Sequence, residues 1–511
     1  KEVEDIYRPY KQKKKTRASE AIRMGLEPLA NFMLGFPYKG DINTEASKYL
    51  NDEVKDTKLA IKGAQDIIAE KVSDDPKFRE KITDSIINYS FIVCKLKKDA
   101  KDEKGVYKKY YDYSEKLKYI EDHRIMAINR ASKEKIISFS FEYDREYLYR
   151  YCFRGLSRDR DSIVNDLVYD AVVDGLDRLA LPSVENEVWS SLFDRASNKS
   201  IEVFANNLEH LLLQAPVSVD CIMGFDPAFR TGCKLAILDG TGKLLHIDKI
   251  FPHEPVKKVA EAEKICLNLI KKYNVSLIAI GNGTASRESE QFVSELVKKN
   301  NLDVKYTLVS EAGASVYSAS ENARSEFPDL HVEERSAVSI ARRVLDPLSE
   351  LIKIDPRSIG VGQYQHDLPT KELDEKLDFT VLKTVNRVGV DLNTASKELL
   401  EHISGLNKSS ANEIVNYRNE NGLFSNRSEL KKVNKIGAKA FQQAAGFLRI
   451  KDGKEALDMT SIHPESYNLA KNILMEHKGL ALGSEELKKA LTNDDVKSLA
   501  SKYESDVYTV A

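Results

Sequence analysis

The sequence predicts a multidomain chain, mainly α-helical, with one α/β domain set between helical regions. Three observations point that way. Residues 1–215 are rich in Ala, Leu, Glu and Lys, with apolar side chains recurring every three to four positions. Near residue 216 the texture changes to short apolar stretches separated by Gly-containing turns. Over residues 392–450 a short helix, a tight Gly turn and a second short helix occur twice in succession. A length of 511 residues accommodates this, since domains run to roughly 100–200 residues each.

Taken in order, the N-terminal region is punctuated at Pro9, Gly25, Pro28, Gly35 and Pro37. Its clearest helices are expected over residues 50–71 and 184–214, and residues 136–141 read as a short extended piece. Residues 99–119, with five tyrosines among Lys and acidic side chains, read as an amphipathic helix surface. Residues 217–225, 234–239 and 244–251 form a predicted three-strand meander. A helix (256–273), a buried strand (275–280), a helix (286–299), a strand (304–309) and a helix from about Glu334 follow. Few folds have this order, and an RNase H-like fold leads them. The expected domains are therefore 1–215 (helical), 216–350 (RNase H-like), 351–384 (a connecting segment), 385–450 (helix-hairpin-helix) and 451–511 (a second helical, helix-hairpin-helix-like region).

Composition narrows the function classes. Lys plus Arg total 78 and Asp plus Glu 80, a net charge of −2, so a uniformly basic nucleic-acid coat is excluded and any polyanion site is a local patch. No apolar run approaches the roughly 20 residues of a membrane helix, and the opening Lys-Glu-Val-Glu-Asp carries no signal-peptide core. Cys94, Cys152, Cys221, Cys233 and Cys266 lack CxxC pairing, which argues against a disulfide framework or a zinc site. A cytoplasmic location without membrane contact is expected, and the missing initiator Met suggests a fragment. No Walker loop or nucleophile–His–Asp arrangement is present, and no cofactor is assigned.

Three stretches carry candidate chemistry. The first is Gly224-Phe-Asp226-Pro-Ala-Phe-Arg230-Thr-Gly-Cys-Lys234, with Asp226 ending the first strand of the meander. An RNase H-like enzyme keeps its first metal-binding carboxylate there, as part of a set that holds two metals for phosphodiester cleavage. The plainer reading is a carboxylate that caps the turn or pairs with Arg230 or Lys234. The fourth strand ends in Gly281-Asn282-Gly283-Thr284, which offers Asn where a nuclease carries an acid. Glu333 and Glu334 precede the last helix, where acids also favour a helix N-terminus. Asp226 with Glu333 or Glu334 is thus the alternative catalytic set, of a metal-dependent nuclease.

The second stretch, residues 281–287, joins a strand to a helix start, so backbone N–H groups and Arg287 offer a phosphate seat or simply a capped turn. The third comprises Ile403-Ser-Gly405-Leu-Asn-Lys408-Ser-Ser-Ala411 and Val433-Asn-Lys435-Ile-Gly437-Ala-Lys439-Ala, two hairpins that point N–H groups and lysines at a nucleic-acid backbone or serve packing alone. Residues 385–450 carry ten Lys/Arg against six Asp/Glu, the local basic excess that the neutral chain otherwise lacks. A weaker candidate is the run at 7–17, with two tyrosines and six positive charges, suited to single-stranded nucleic acid or to a solvated face.

These residues resemble the Tex family of bacterial transcription accessory proteins. The resemblance rests on residues 224–234 and 280–288, on Arg-Ser-Ala-Val-Ser-Ile-Ala-Arg-Arg-Val-Leu-Asp-Pro-Leu (335–348), and on Ile-Gly-Val-Gly-Gln-Tyr-Gln-His-Asp (359–367). Asp-Leu-Asn-Thr-Ala-Ser (391–396), Ala-Ala-Gly-Phe-Leu-Arg-Ile (444–450) and the opening Glu-Asp-Ile-Tyr-Arg-Pro-Tyr-Lys (4–11) extend it. It implies a helical N-terminal region, a YqgF-type RNase H-like domain without nuclease activity, tandem helix-hairpin-helix domains and a C-terminal OB-fold that binds RNA. Two departures are expected: an N-terminal helical segment and the OB-fold have no counterpart here. The expected function is non-catalytic, sequence-tolerant binding of RNA and/or DNA in transcription. Gly405, Lys408, Lys435, Gly437, Lys439 and Arg287 are its phosphate contacts. The alternatives are the nuclease above and a helical scaffold for the transcription or translation machinery.

Overall fold

A computed structural model describes residues 15–158, 161–360, 362, 364–451, 453–477, 479–492 and 494–511; most of the aromatic-basic run at 7–17 lies outside them. The chain falls into two compact units. One runs to Ser200 and takes in His366–Leu368; the other holds Ile201–Gln365 and Pro369–Ala511.

In the first unit, the Thr57–Asp74 helix buries Ala60, Ala64, Ile67, Ile68 and Val72 along one stripe. It starts where the Asp56 carboxylate accepts the Leu59 N–H at 2.8 Å. The Asn165–Gly175 helix crosses it at Gly175, where a Cβ would lie 2.5 Å from the Ala69 carbonyl oxygen. The long helix expected over 184–214 spans Leu181–Leu212, 32 residues, of which those from Ile201 onward belong to the second unit.

The unit is not wholly helical. β1 (Phe91–Leu96), β2 (Asp112–Lys116) and β3 (Ile137–Glu142) form an antiparallel sheet with β1 in the centre. β3 is the extended piece that the sequence suggests. The helix expected over 99–119 is instead a tied loop and β2. There, Tyr113 and Glu115 face inward and their neighbours outward, a period of two. Asp102 holds the loop, accepting the N–H groups of Val106 and Tyr107 and the Tyr111 hydroxyl at 2.8–2.9 Å. Those local bonds compete with the helix.

The second unit contains a five-stranded sheet in the order β6-β5-β4-β7-β8. β4 (Cys221–Asp226), β5 (Cys233–Asp239) and β6 (Leu244–Ile250) are the antiparallel meander; β7 (Leu277–Gly281) and β8 (Lys305–Val309) run parallel to β4. On one face Phe225, Leu235, Ile237, Ile278 and Ile280 pack with Cys266, Leu269 and Phe292 from the Val259–Tyr273 and Ser286–Lys299 helices. On the other, Ile222, Ala236, Leu238 and Ala279 meet Ala337, Val338, Ile340 and Ala341 of the Val332–Leu345 helix. Gly224 permits that contact, because a Cβ there would overlap the Ala337 carbonyl oxygen. The expected strand and helix order is present throughout.

Beyond it, the Thr370–Val388 helix leads into Lys397–Glu401, Lys408–Asn421 and Ala438–Ala444, closed by parallel two-residue strands at Val390–Asp391 and Leu448–Arg449. Helices Tyr467–Glu476, Glu485–Thr492, Val496–Lys502 and Val507–Val510 follow. Among the described residues no helix is long and apolar enough to cross a membrane.

Candidate nucleic-acid interface

Asp226 ends β4 and sits opposite Lys234 in the β4–β5 register. It is partly buried, and that burial, followed by the neighbouring charge of Glu311, pushes its carboxyl up to about 7; a Ser336 hydrogen bond and Lys234 oppose the rise. Lys234 is 3% exposed. Its ammonium donates to Thr231 Oγ1 at 2.8 Å and to the Thr231 carbonyl at 3.2 Å, and pairs with the Glu333 carboxylate. Glu334 turns back on its own helix start, accepting the His331 N–H at 2.7 Å. Glu333 and Glu334, adjacent in sequence, are thus committed to different partners.

Glu311 is the member that sequence reading missed. It lies two residues past β8, at the carboxyl ends of the parallel strands where open α/β sheets place their sites. Asn282 accepts the Glu311 N–H at 3.2 Å, so its amide oxygen positions the acid rather than a metal. Arg343, 5% exposed, brackets the same loop by donating to the Ser310 and Ala312 carbonyls at 2.5 and 2.8 Å. A Cβ at Gly283 would overlap the Glu311 carboxylate. A carboxylate therefore lies on the 281–287 turn, and Arg287 is exposed at the start of the following helix. Two divalent ions need several free carboxylates. Here a buried ammonium engages Glu333, and among the described residues no three His, Cys, Asp or Glu side chains are grouped to hold a metal. The donor set does not fit the two-metal arrangement of this fold.

The hairpins form the second site. Gly405 (φ 85°) and Lys435 (φ 66°) turn the chain at equivalent points, a conformation natural to glycine and uncommon for lysine. Leu406 and Ile436 follow, then Asn407 and Gly437 as the N-caps of the Lys408–Asn421 and Ala438–Ala444 helices. The two hairpins meet. Lys435 Nζ reaches Ser409 Oγ at 2.8 Å and Glu413 at 3.6 Å. A Cβ at Gly405 would lie 2.6 Å from Gln443 Cβ and 3.1 Å from the Ala440 carbonyl oxygen. Gly405 and Gly437, and the exposed Lys408, Lys435 and Lys439, are thereby gathered around one junction.

The hairpins are not equivalent. Asn407 Oδ1 accepts the N–H groups of Ser409 and Ser410, each at 3.0 Å, so those donors are already engaged. Gly437 contributes no cap, and nothing lies within 4 Å of its would-be Cβ. The motif spacing places both turns in sequence; the side-chain cap on the first and the Lys435–Ser409 link depend on how the turns are packed.

Family models match four stretches: Tex central region-like (residues 39–204), Tex protein YqgF-like domain (220–345), Helix-hairpin-helix motif (385–449) and HHH domain (455–511). The Bacillus subtilis protein YdcI is 47% identical over 502 residues, covering 98% of this chain and 69% of the relative. Protein tex of Bordetella pertussis is 40% identical over 501 residues, with 93% and 62% covered. The transcriptional accessory protein Tex of Neisseria gonorrhoeae is 41% identical over 487 residues, with 93% and 63% covered. The chain thus spans somewhat over three fifths of the length of the relatives that carry the Tex name. Similarity of this extent, through the central region, the α/β domain and both helix-hairpin-helix segments, makes the chain a member of the Tex family.

Proposed function

We propose that the chain acts in transcription by binding RNA or DNA through its helix-hairpin-helix region, gripping phosphates without reading bases. The observation that carries this reading is the junction of the two hairpins, where exposed Lys435 and Lys439 flank the uncapped turn at Gly437 in sequence and Lys435 reaches the Lys408–Asn421 helix at Ser409. Lysines neutralise phosphates and release counterions, and phosphates carry no sequence information. The relatives named as Tex or as a transcriptional accessory protein support the process. The reading puts the chain in the cytoplasm, with the transcription machinery as its protein partner. In it Lys435, Gly437 and Lys439 are the principal contacts, Lys408 and Gly405 flank them, and the exposed Arg287 is a further phosphate contact on the α/β domain. The YqgF-like domain does not cleave in this reading, since Lys234 engages Glu333 and Glu334 caps its own helix.

Electrophoretic shifts on single-stranded RNA, single-stranded DNA and duplex DNA across a salt series, with and without Mn²⁺, test it. Lys435→Glu with Lys439→Glu is expected to weaken binding at least tenfold on every probe. The log–log salt slope is expected to fall by about two, one per lysine. Unchanged affinity overturns the assignment. Mn²⁺-dependent cleavage that disappears in Asp226→Asn overturns the non-cleaving part alone.

A further inference from the structure

We propose that the Lys234 ammonium is the built-in cation of the Asp226 centre, standing in for the divalent ion of metal-dependent RNase H-like enzymes. Lys234 faces Asp226 across the β4–β5 pair and is almost wholly buried. An ammonium has three N–H donors, and this one has three acceptors: Thr231 Oγ1, the Thr231 carbonyl and the Glu333 carboxylate. Asp226 feels the charges of both Glu311 and Glu333, which approach it from the end of β8 and the start of the Val332–Leu345 helix without being grouped as metal ligands. Carboxylates taken partly out of water need an adjacent positive charge. Arg343 adds positive charge in the field of Glu311, but the bonds it makes are to the carbonyls on either side of that residue and not to a carboxylate of the cluster. Lys234 is the buried cation in contact with the cluster, and it is delivered by the chain itself.

The consequence is a centre whose charge is balanced without a dissociable ion. Its shape is therefore independent of divalent-ion concentration. The inference deepens the non-cleaving reading of the domain and rests on it, but its test needs no substrate. The intact chain, Lys234→Met, Asp226→Asn and the pair Lys234→Met with Glu333→Gln are compared by thermal melting and by loss of the free Mn²⁺ electron paramagnetic resonance signal. The unaltered chain is expected to take up no Mn²⁺ that Asp226→Asn abolishes, and to melt at the same temperature with and without the ion.

Lys234→Met leaves the acids unbalanced. Its melting temperature is expected to fall by roughly 5–10 °C, and either added Mn²⁺ or the second change Glu333→Gln recovers part of the loss. Asp226-dependent Mn²⁺ uptake by the unaltered chain overturns the proposal, even where no cleavage is found. A Lys234→Met chain that melts normally also overturns it, because the lysine then balances nothing. Where Lys234→Met alone does not fold, the double variant is expected to fold; its failure shows that Lys234 acts by packing and overturns the proposal as well.

Discussion

Arg427 takes a full positive charge into the interior, at 1% exposure. Its Nε donates to the Leu448 carbonyl at 2.5 Å, Nη1 to the Ile462 carbonyl at 2.7 Å and the Tyr467 hydroxyl at 2.9 Å, and Nη2 to the Thr460 carbonyl. Asp458, equally buried, accepts the Arg427 backbone N–H at 2.8 Å. One side chain thus fastens the second hairpin repeat to the segment that follows it. Removing one member of a buried charged pair strands the other. Arg427→Met is therefore expected to cost about 3–5 kcal/mol, read as a lower urea midpoint. Lys408→Ala, at an exposed site, stays within about 0.5 kcal/mol. Asn407 gives a finer test. Asn407→Ala loses the helix cap, worth about 1 kcal/mol. It leaves nucleic-acid affinity nearly unchanged in shift assays, because Gly437 and its lysines form the open hairpin.

Among the elements, the Val332–Leu345 helix determines the geometry of the Asp226 centre. It supplies Glu333 to Lys234 and Ser336 to Asp226, and it lies flat on the sheet because β4 has glycine at 224. Adding a methyl there forces helix and strand apart. Gly224→Ala is expected to destabilise the α/β domain by about 1–3 kcal/mol, seen as an earlier denaturant transition, while the hairpin region keeps its affinity for nucleic acid. The meander and the parallel strands were readable because their apolar runs are short and set off by polar turns, those of the meander containing Gly. β1 and β2 were not. Phe91–Leu96 follows the Pro76–Tyr89 helix after a single residue, and the 99–119 segment owes its path to Asp102 bonding forward in the chain, which charge and tyrosine content do not reveal.

At the level of the whole molecule, the raised Asp226 carboxyl makes stability depend on pH. Burial, then Glu311, lifts it from an ordinary 3.8 to about 7. Between those values the folded chain holds a proton that the unfolded chain has released, so this group's contribution falls as pH rises through the window and levels off above it. Asp226→Asn removes that part of the slope. Melting curves from pH 4 to pH 8 check it: the variant is expected to lose less stability than the unaltered chain over that interval. A steeper slope in the variant would place the source of the pH dependence elsewhere.

Element order in the α/β domain, the local basic excess of residues 385–450 and the two hairpin turns were determined by the sequence alone, because periodicity, Gly placement and charge are properties of neighbours along the chain. Asp226 as the end of a buried strand was legible for the same reason. The partners were not. Glu333 and Glu334 look alike in sequence, yet one pairs with Lys234 and the other caps its helix. Glu311 reaches the centre only because β8 lies beside β7. Lys435 finds Ser409 only because the hairpins pack together. Whether a carboxylate is free, paired or capping depends on desolvation and on charges brought in from distant segments, and these exist only once the chain has folded.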